Sequence, residues 1–499
     1  MANDAASRPI SVMVTGPKSS GKSTFGRLLA NRLLTRSLAV ARNKRRPDIA
    51  ILDLDPGQPE YGVPGQISLI RVIEPVLKPS FCHPLPGAGY EVIRSHSLAS
   101  ISPASDPDLY LDSARDIATH YRNTLGSSPL IVNTPGWIQG TGLDLLTSLI
   151  TDLRPTDVVY MSLTGPADAV ESLEEACKTT TFSTLPSQTT QFTSRIASHL
   201  RAMQTMSYFH AESDVNEGLT RWNAAPLTTI PPWIVSYMGK ARGIFGIMLY
   251  DYQTPPELLA DAVNGTIMAI VEVESPLAFR DLVDAQQSDR CKNDDDDDMK
   301  NADTRMDIDG EQNAETTPPL AELHDHLTVA TPEGLPLIST VAGTAHGTGS
   351  TTLDPRHSRF VGLALVRGID VRGGALQLLT PVPAERIEEI GARGSEIVLV
   401  SGRFDGTGWA YTEDLHFRAS KSRQEGGDEG ANDEDEVLDD VEDETDADAS
   451  DDFEEDDDAD VYAAPTPWIE VLHGNQKRGV GSKVWRVRRD LGRGGNLAD

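Results

Sequence analysis

Residues 10–230 predict a doubly wound α/β fold with a parallel sheet, on two observations. Short apolar runs alternate with stretches of helical hydrophobic spacing, the pattern of strands with crossover helices on both faces. Between the first such pair lies Gly16-Pro17-Lys18-Ser19-Ser20-Gly21-Lys22-Ser23-Thr24. It fits the phosphate-loop pattern of Gly, four residues, then Gly-Lys-Ser, in the strand–loop–helix setting of a P-loop NTPase. A third observation concerns residues 231–420, where short strand-like runs separated by glycine turns predict a smaller β-rich C-terminal domain, a barrel or sandwich.

The formal charge of −32 is unevenly spread. Gln424 to Asp460 holds 22 acidic residues and no basic one, and Lys292 to Glu311 holds 9 acidic against 3 basic. Without these two tracts the net charge is −4. Such segments bury too little apolar surface to offset ordering entropy and are expected to be disordered. The domain plan is a polar tail over 1–9, the P-loop domain with a lid over 10–230, and the β-rich domain over 231–420. That last domain carries a disordered acidic insert at about 288–350. An acidic tract follows over 421–464 and a basic tail over 465–499. Cys82, Cys177 and Cys291 show no paired spacing, against a disulfide framework or zinc site. No apolar run approaches the about 20 residues of a membrane span, so no membrane is expected among the partners.

The chain in order starts with the strand Ile10–Val14 and a helix through Leu28, Leu29, Leu33 and Leu34. Lys22 is expected on the β- and γ-phosphates of ATP and the Ser23 hydroxyl on Mg²⁺. Arg42 to Arg46 reads as a solvated basic loop. The apolar strand Ile49–Leu52 ends in Asp53-Leu54-Asp55, a Walker B element at the carboxyl edge of the sheet, where ligands collect. One aspartate suits Mg²⁺ held through water and the other a proton from an attacking hydroxyl, unless one caps a turn. Pro56 through Leu69 reads as a proline-fixed loop walling the substrate site. Ser102, Pro103, Asp106, Pro107 and Tyr110 read either as substrate-phosphate contacts or as a plain helix entry. The helix is expected from about Leu109 to Leu125.

Leu130–Asn133 is a further buried strand, running into Thr134-Pro135-Gly136-Trp137. Trp137 is suited either to stack on a base or to anchor the turn. Gly140 and Gly142 open a helix over Leu143–Leu153, and Asp157–Ser162 is the next strand. From Glu171 to Gln191 the pattern fades. A helix around Ser194–Ser207 carries Arg195 and Arg201, either of which suits a lid arginine, and ends in Tyr208-Phe209-His210. The tail Lys477–Arg493 has 7 basic residues and 1 acidic, with Trp485 among its arginines. That composition suits RNA contact, entry into a partner, or neutralisation of the adjacent acidic tract.

Taken together, these motifs resemble the eukaryotic polynucleotide 5′-hydroxyl kinases, nearest to the fungal members acting in pre-ribosomal RNA processing. The likeness rests on Gly16–Phe25, Asp53–Glu60, Asn133–Trp137 with Gly140 and Gly142, Ser207–His210, Gly362–Asp370 and Gly481–Arg493. It implies ATP- and Mg²⁺-dependent phosphorylation of RNA 5′-hydroxyl ends during removal of the second internal transcribed spacer, in the nucleus and nucleolus. It implies Asp55 as general base with Asp53 at the metal. Gln58, Thr134, Gly136 and Trp137 match the acceptor wall, and Arg201 the lid arginine. A HEPN-type endoribonuclease is the implied partner, met by the C-terminal tail. Members of that family usually carry a substantial domain before the kinase; here the phosphate loop starts at residue 16, so that domain is expected to be absent from this sequence. Two other functions fit parts of the sequence: a GTPase-like switch, although no Asn-Lys-x-Asp is present, and a scaffold holding nucleotide in an RNA-processing complex.

Overall fold

The computed structural model describes residues 9–40, 48–87, 89–163, 165–188, 195–214, 219–239, 241–251, 254–279, 320–338 and 352–425. Two sheets lie in one compact unit, residues 1–427, and the second unit, 428–499, is wholly outside the described residues. Also outside are Arg42–Arg46, the 292–311 tract, Cys291 and the tail 477–493.

The first sheet forms as the sequence predicts, with additions. Its strands are β1 (Ser11–Thr15), β2 (Ile49–Asp53), β3 (Gln66–Val72), β4 (Tyr90–Ser97), β5 (Leu130–Asn133), β6 (Asp157–Met161) and β7 (Thr181–Leu185), in the order β4-β3-β2-β5-β1-β6-β7. Five strands from β2 to β7 run parallel. β3 and β4 add antiparallel at the β2 edge, so the sheet is mixed. Residues 66–69, expected as loop, begin β3, because Ile67, Leu69 and Ile70 are buried against the sheet. β7 and a helix at Ala167–Ala176 occupy the stretch where the hydrophobic pattern fades.

The central strands are buried on both faces, as parallel strands must be. Met13 and Leu52 face the helices α2 (Pro107–His120) and α3 (Thr141–Leu153). Val12, Val14, Ile51 and Ile131 pack on the other side with Leu34 of α1 (Lys22–Val40). The helix expected to reach Leu125 instead closes with a π-turn over Tyr121–Leu125.

The second sheet is neither barrel nor sandwich but a single eight-stranded layer. Its central strands include β11 (Gly246–Leu249), β12 (Ile267–Val273), β15 (Ser358–Asp370) and β17 (Glu396–Ser401). One face packs Phe245, Met248 and Val271; the other packs Ile247, Met268 and Ile270. Inside the insert expected to be disordered, residues 320–338 form a helix and two short strands. Leu320, Leu323 and Leu327 recur at helical spacing and are buried, as are Leu335 and Ile338. Among the described residues no helix is long and apolar enough to cross a membrane, and Cys82 and Cys177 are free thiols.

A buried ion cluster ties the sheets together. Arg94 on β4 donates to both oxygens of Glu274 at 2.8 and 2.7 Å, to Asp116 of α2 at 3.1 Å, and to the Pro355 carbonyl at 3.0 Å. Ser95 beside it donates to the Phe360 carbonyl of β15 at 3.0 Å. Replacing Arg94 by Met would leave Glu274, 32% exposed, without its ion pair while Asp116 keeps His96 at 2.8 Å, so we expect a loss of about 1–3 kcal/mol in denaturant unfolding. His210 supplies a pH test. Its hydrogen bond with Glu413, 2.7 Å long, holds the imidazole above its ordinary value. The stabilisation is fully present below the unfolded pKa of about 6.5 and is lost as pH climbs through the raised folded value. The stability gap between wild type and Glu413→Gln should therefore shrink from pH 6 to pH 8 in thermal unfolding.

Candidate active site

The phosphate loop leaves β1 at Thr15 and enters α1 at Lys22. Its backbone turns through positive φ at Gly16 (142°), Ser19 (58°) and Gly21 (94°). At Gly16 a Cβ would stand 3.1 Å from the Met161 backbone, so only glycine lets the loop lie against the end of β6. The first intrahelical bond runs from the Phe25 N–H to the Gly21 carbonyl at 2.9 Å. The N–H groups of Lys22, Ser23 and Thr24 precede that ladder and form the positive end of α1. The Lys22 ammonium donates to the Pro17 carbonyl at 2.8 Å. Burial lowers its pKa and the nearby Asp55 opposes that shift. Lys18, Ser19 and Thr24 are exposed, whereas the buried hydroxyls of Thr15 and Ser20 find no partner among the described residues. A loop of spare donors and orphaned hydroxyls fits a phosphate chain.

Asp53, at the end of β2, is fully buried. One carboxylate oxygen accepts from the Asn133 side-chain amide at 2.9 Å. The other accepts from the Glu60 and Tyr61 N–H groups at 2.7 and 3.1 Å. Burial pushes its carboxyl up to about 7 despite those three donors. The Asn133 amide oxygen in turn accepts from the Ser23 hydroxyl at 3.5 Å, so Asn133 links the two groups expected at the metal. Asp53 keeps one lone pair, on the oxygen that accepts from Asn133, which suits Mg²⁺ bound through water, the habit of that ion. Among the described residues no three His, Cys, Asp or Glu side chains cluster as a ready-made metal site. A cation here would need phosphate oxygens and water beside Ser23 and Asp53.

Asp55 caps a turn with one oxygen and leaves the other open. One oxygen accepts from the N–H groups of Gly57 and Gln58 at 3.0 and 3.2 Å, capping the turn that starts the wall. The other accepts nothing among the described residues. Burial raises its pKa, and Lys22 and Lys18 pull it back.

The wall is assembled from three sides. Gln58 gives its N–H to Asp55. Gly136 runs against the phosphate loop, where a Cβ would stand 2.8 Å from the backbone of Lys18. The Thr134 hydroxyl donates to the Val14 carbonyl at 2.9 Å and is buried, so it staples the turn to β1. Trp137 packs against the core of Leu145 and Leu146, as an anchor. Tyr110 is buried on the Leu54 carbonyl at 3.1 Å, and Asp106 caps α2 through the Leu109 N–H at 2.9 Å; this is a helix entry. Arg195 is exposed. Arg201, on α5 (Ala197–His210), donates to Asp405 at 2.6 Å, which holds it on the loop after β17.

Four contributors escaped the sequence. Gln204 of α5 donates to the Pro59 and Gly62 carbonyls at 2.9 and 2.8 Å, fixing the wall loop. Arg27 pairs with Glu60 at 3.0 Å, and burial pushes that carboxyl up to about 7. The Gln188 N–H donates to the Ser20 carbonyl at 3.0 Å, laying the segment after β7 on the phosphate loop. Asn133 reads in the sequence only as a strand end and motif residue, with no sign of its bonds to Asp53 and Ser23. Thr181, Phe182 and Thr184, residue types that favour strands, are the one available signal for β7, and no local pattern marks Gln204.

Residues 16–211 match the family described as mRNA cleavage and polyadenylation factor CLP1 P-loop. The polynucleotide 5′-hydroxyl-kinase GRC3 of Gibberella zeae is 44% identical over 493 residues, covering 97% of this chain and 61% of that protein. The polynucleotide 5′-hydroxyl-kinase grc3 of Aspergillus fumigatus is 37% identical over 487 residues, covering 94% and 57%. The chain thus spans 61% and 57% of the length of these curated relatives. A solved wild-type Clp1p–Pcf11p complex is similar at a TM-score of 0.45 with 15% identity, over 81% of this chain and 76% of that one.

Gly136→Ala would press a methyl group into the Lys18 backbone. Nucleotide affinity in a titration should weaken by about 1–3 kcal/mol, with the global unfolding midpoint changed far less.

Proposed function

We propose that the chain transfers the γ-phosphate of ATP to the 5′-hydroxyl of a polynucleotide, with RNA as acceptor. Asp55 carries this reading. A carboxylate with one oxygen pinned by its own turn and the other open, beside the phosphate-loop lysine, is placed to take a proton from a hydroxyl. Binding a nucleotide alone does not need that oxygen.

In the reaction the acceptor oxygen bonds to the γ-phosphorus while the bond from that phosphorus to the β–γ bridging oxygen breaks. The hydroxyl proton passes to the open oxygen of Asp55, and ADP leaves with the bond's electron pair. Lys22 exchanges its Pro17 carbonyl for phosphate oxygens and offsets their charge. Ser23, and Asp53 through water, would hold Mg²⁺, which supplies further charge neutralisation when bound. Arg201 reaches the phosphates only on leaving Asp405.

The names of the similar fungal proteins support the 5′-hydroxyl acceptor. The finer parts rest on the motif resemblance. They are a pre-ribosomal RNA cut at the second internal transcribed spacer, a HEPN-type endoribonuclease reached by the tail around Trp485, and a nucleolar location. ATP is favoured over GTP because the guanine-reading Asn-Lys-x-Asp is missing from the sequence.

Asp55→Asn keeps the turn cap and removes the base. With γ-labelled ATP and a 5′-hydroxyl oligoribonucleotide, transfer should fall by about 10²–10⁴-fold while ATP still binds. Undiminished transfer by that variant would sink the assignment.

A further inference from the structure

The second sheet carries a cavity of about 180 Å³ where β11 and β17 end and β12 begins, lined in part by Asp251, Thr266, Phe404, Asp405 and Thr407. It adjoins the acceptor wall. A Cβ on Gly65, in the wall loop, would stand 2.6 Å from the Phe404 ring, and one on Gly402 would stand 2.7 Å from Ala99. Asp405, on its rim, holds Arg201, one turn of α5 from the Gln204 that fixes Pro59 and Gly62.

One group in the cavity is unexplained. The Asp251 side chain is 8% exposed. One of its oxygens is paired with Arg403, and the other is buried with no hydrogen-bond donor among the described residues. A buried carboxylate oxygen without a donor is costly. Its charge is already offset by Arg403, and that of Asp405 by Arg201, so the site calls for a neutral donor rather than a cation. The volume lies below the roughly 300–1,000 Å³ of pockets that take whole ligands, which suits one planar ring. Carboxylates accept from exocyclic base amines, and single-stranded RNA is read by unstacked bases placed against aromatic rings.

We propose that this cavity holds an unpaired, amine-bearing base of the acceptor strand, its exocyclic amine donating to Asp251 and its ring lying beside Phe404. The proposal rests on the polynucleotide-acceptor reading above. It gives the site a preference for adenine, cytosine or guanine, whose exocyclic amine projects beyond the ring edge, over uracil, whose one base donor is the ring N3–H set between two carbonyls that would face the carboxylate.

The test is fluorescence anisotropy of the 499-residue chain with labelled 5′-hydroxyl oligomers of A, C and U. Oligo-A and oligo-C should bind about tenfold tighter than oligo-U, the scale of one hydrogen bond to a charged group. Asp251→Asn leaves a carbonyl on Arg403 and turns an NH₂ into the cavity, which should raise oligo-U to at least the level of the others. Phe404→Leu, a second route should the first variant fail to fold, should narrow the preference by weakening oligo-A and oligo-C. Equal wild-type affinities, or a preference that survives both variants, overturn the proposal alone. No binding of any oligomer overturns it together with the polynucleotide reading.

Discussion

The carboxylate of Asp53 is the point on which the site is hung. It sits at the carboxyl end of β2, between the antiparallel edge and the parallel centre of the sheet, and three donors converge on it. Asn133 reaches it from β5, and Glu60 and Tyr61 from the wall loop. Through Asn133 it is joined to Ser23 at the start of α1. One buried group thereby sets the relative positions of metal side, phosphate loop and acceptor wall. Burying a carboxylate is unfavourable, and three hydrogen bonds with fixed directions are what make it tolerable. The same bonds remove the freedom that a catalytic constellation cannot have.

Most of the first sheet and the phosphate-binding half of the site were legible in the sequence, for a local reason. Gly16–Thr24 lies within one strand–loop–helix unit, and Asp53 and Asp55 close one apolar strand, so each stretch carries its own signal. Residues acting over long sequence separations were not legible. Gln204 serves carbonyls at positions 59 and 62, and Arg201 meets Asp405; neither pairing leaves a pattern in its own neighbourhood. β3 was hidden because its apolar run Ile67–Ile70 directly follows prolines and glycines that read as a turn. The strands β6 and β7 differ in the same way. Val158, Val159 and Met161 give β6 an apolar run, whereas β7 is an edge strand with polar, exposed threonines.

The side chains expected to meet the acceptor or its phosphates divide by how far their own groups are committed to the protein. Thr134, Trp137 and Tyr110 stand near the site and hold its frame, each with its polar or aromatic group spent on the protein. Asp55 keeps one oxygen uncommitted. Its partial commitment positions it, and the spare lone pair gives it chemistry. Proximity alone would have treated all four alike.

The packing of Gly65 against Phe404 and of Gln204 on the wall loop bears on the order in which the molecule takes shape. The phosphate loop, Asp53, Asp55 and Asn133 all lie before residue 162, while the groups that brace the wall arrive as late as residues 404 and 405. Domains fold as they emerge during synthesis, and long-range contacts close last. A nascent chain therefore acquires its grip on nucleotide some 240 residues of synthesis before its acceptor wall is braced, an interval of tens of seconds at about 5–20 residues per second. During that interval a bound nucleotide would stabilise the emerging sheet by mass action without a finished wall to receive an acceptor.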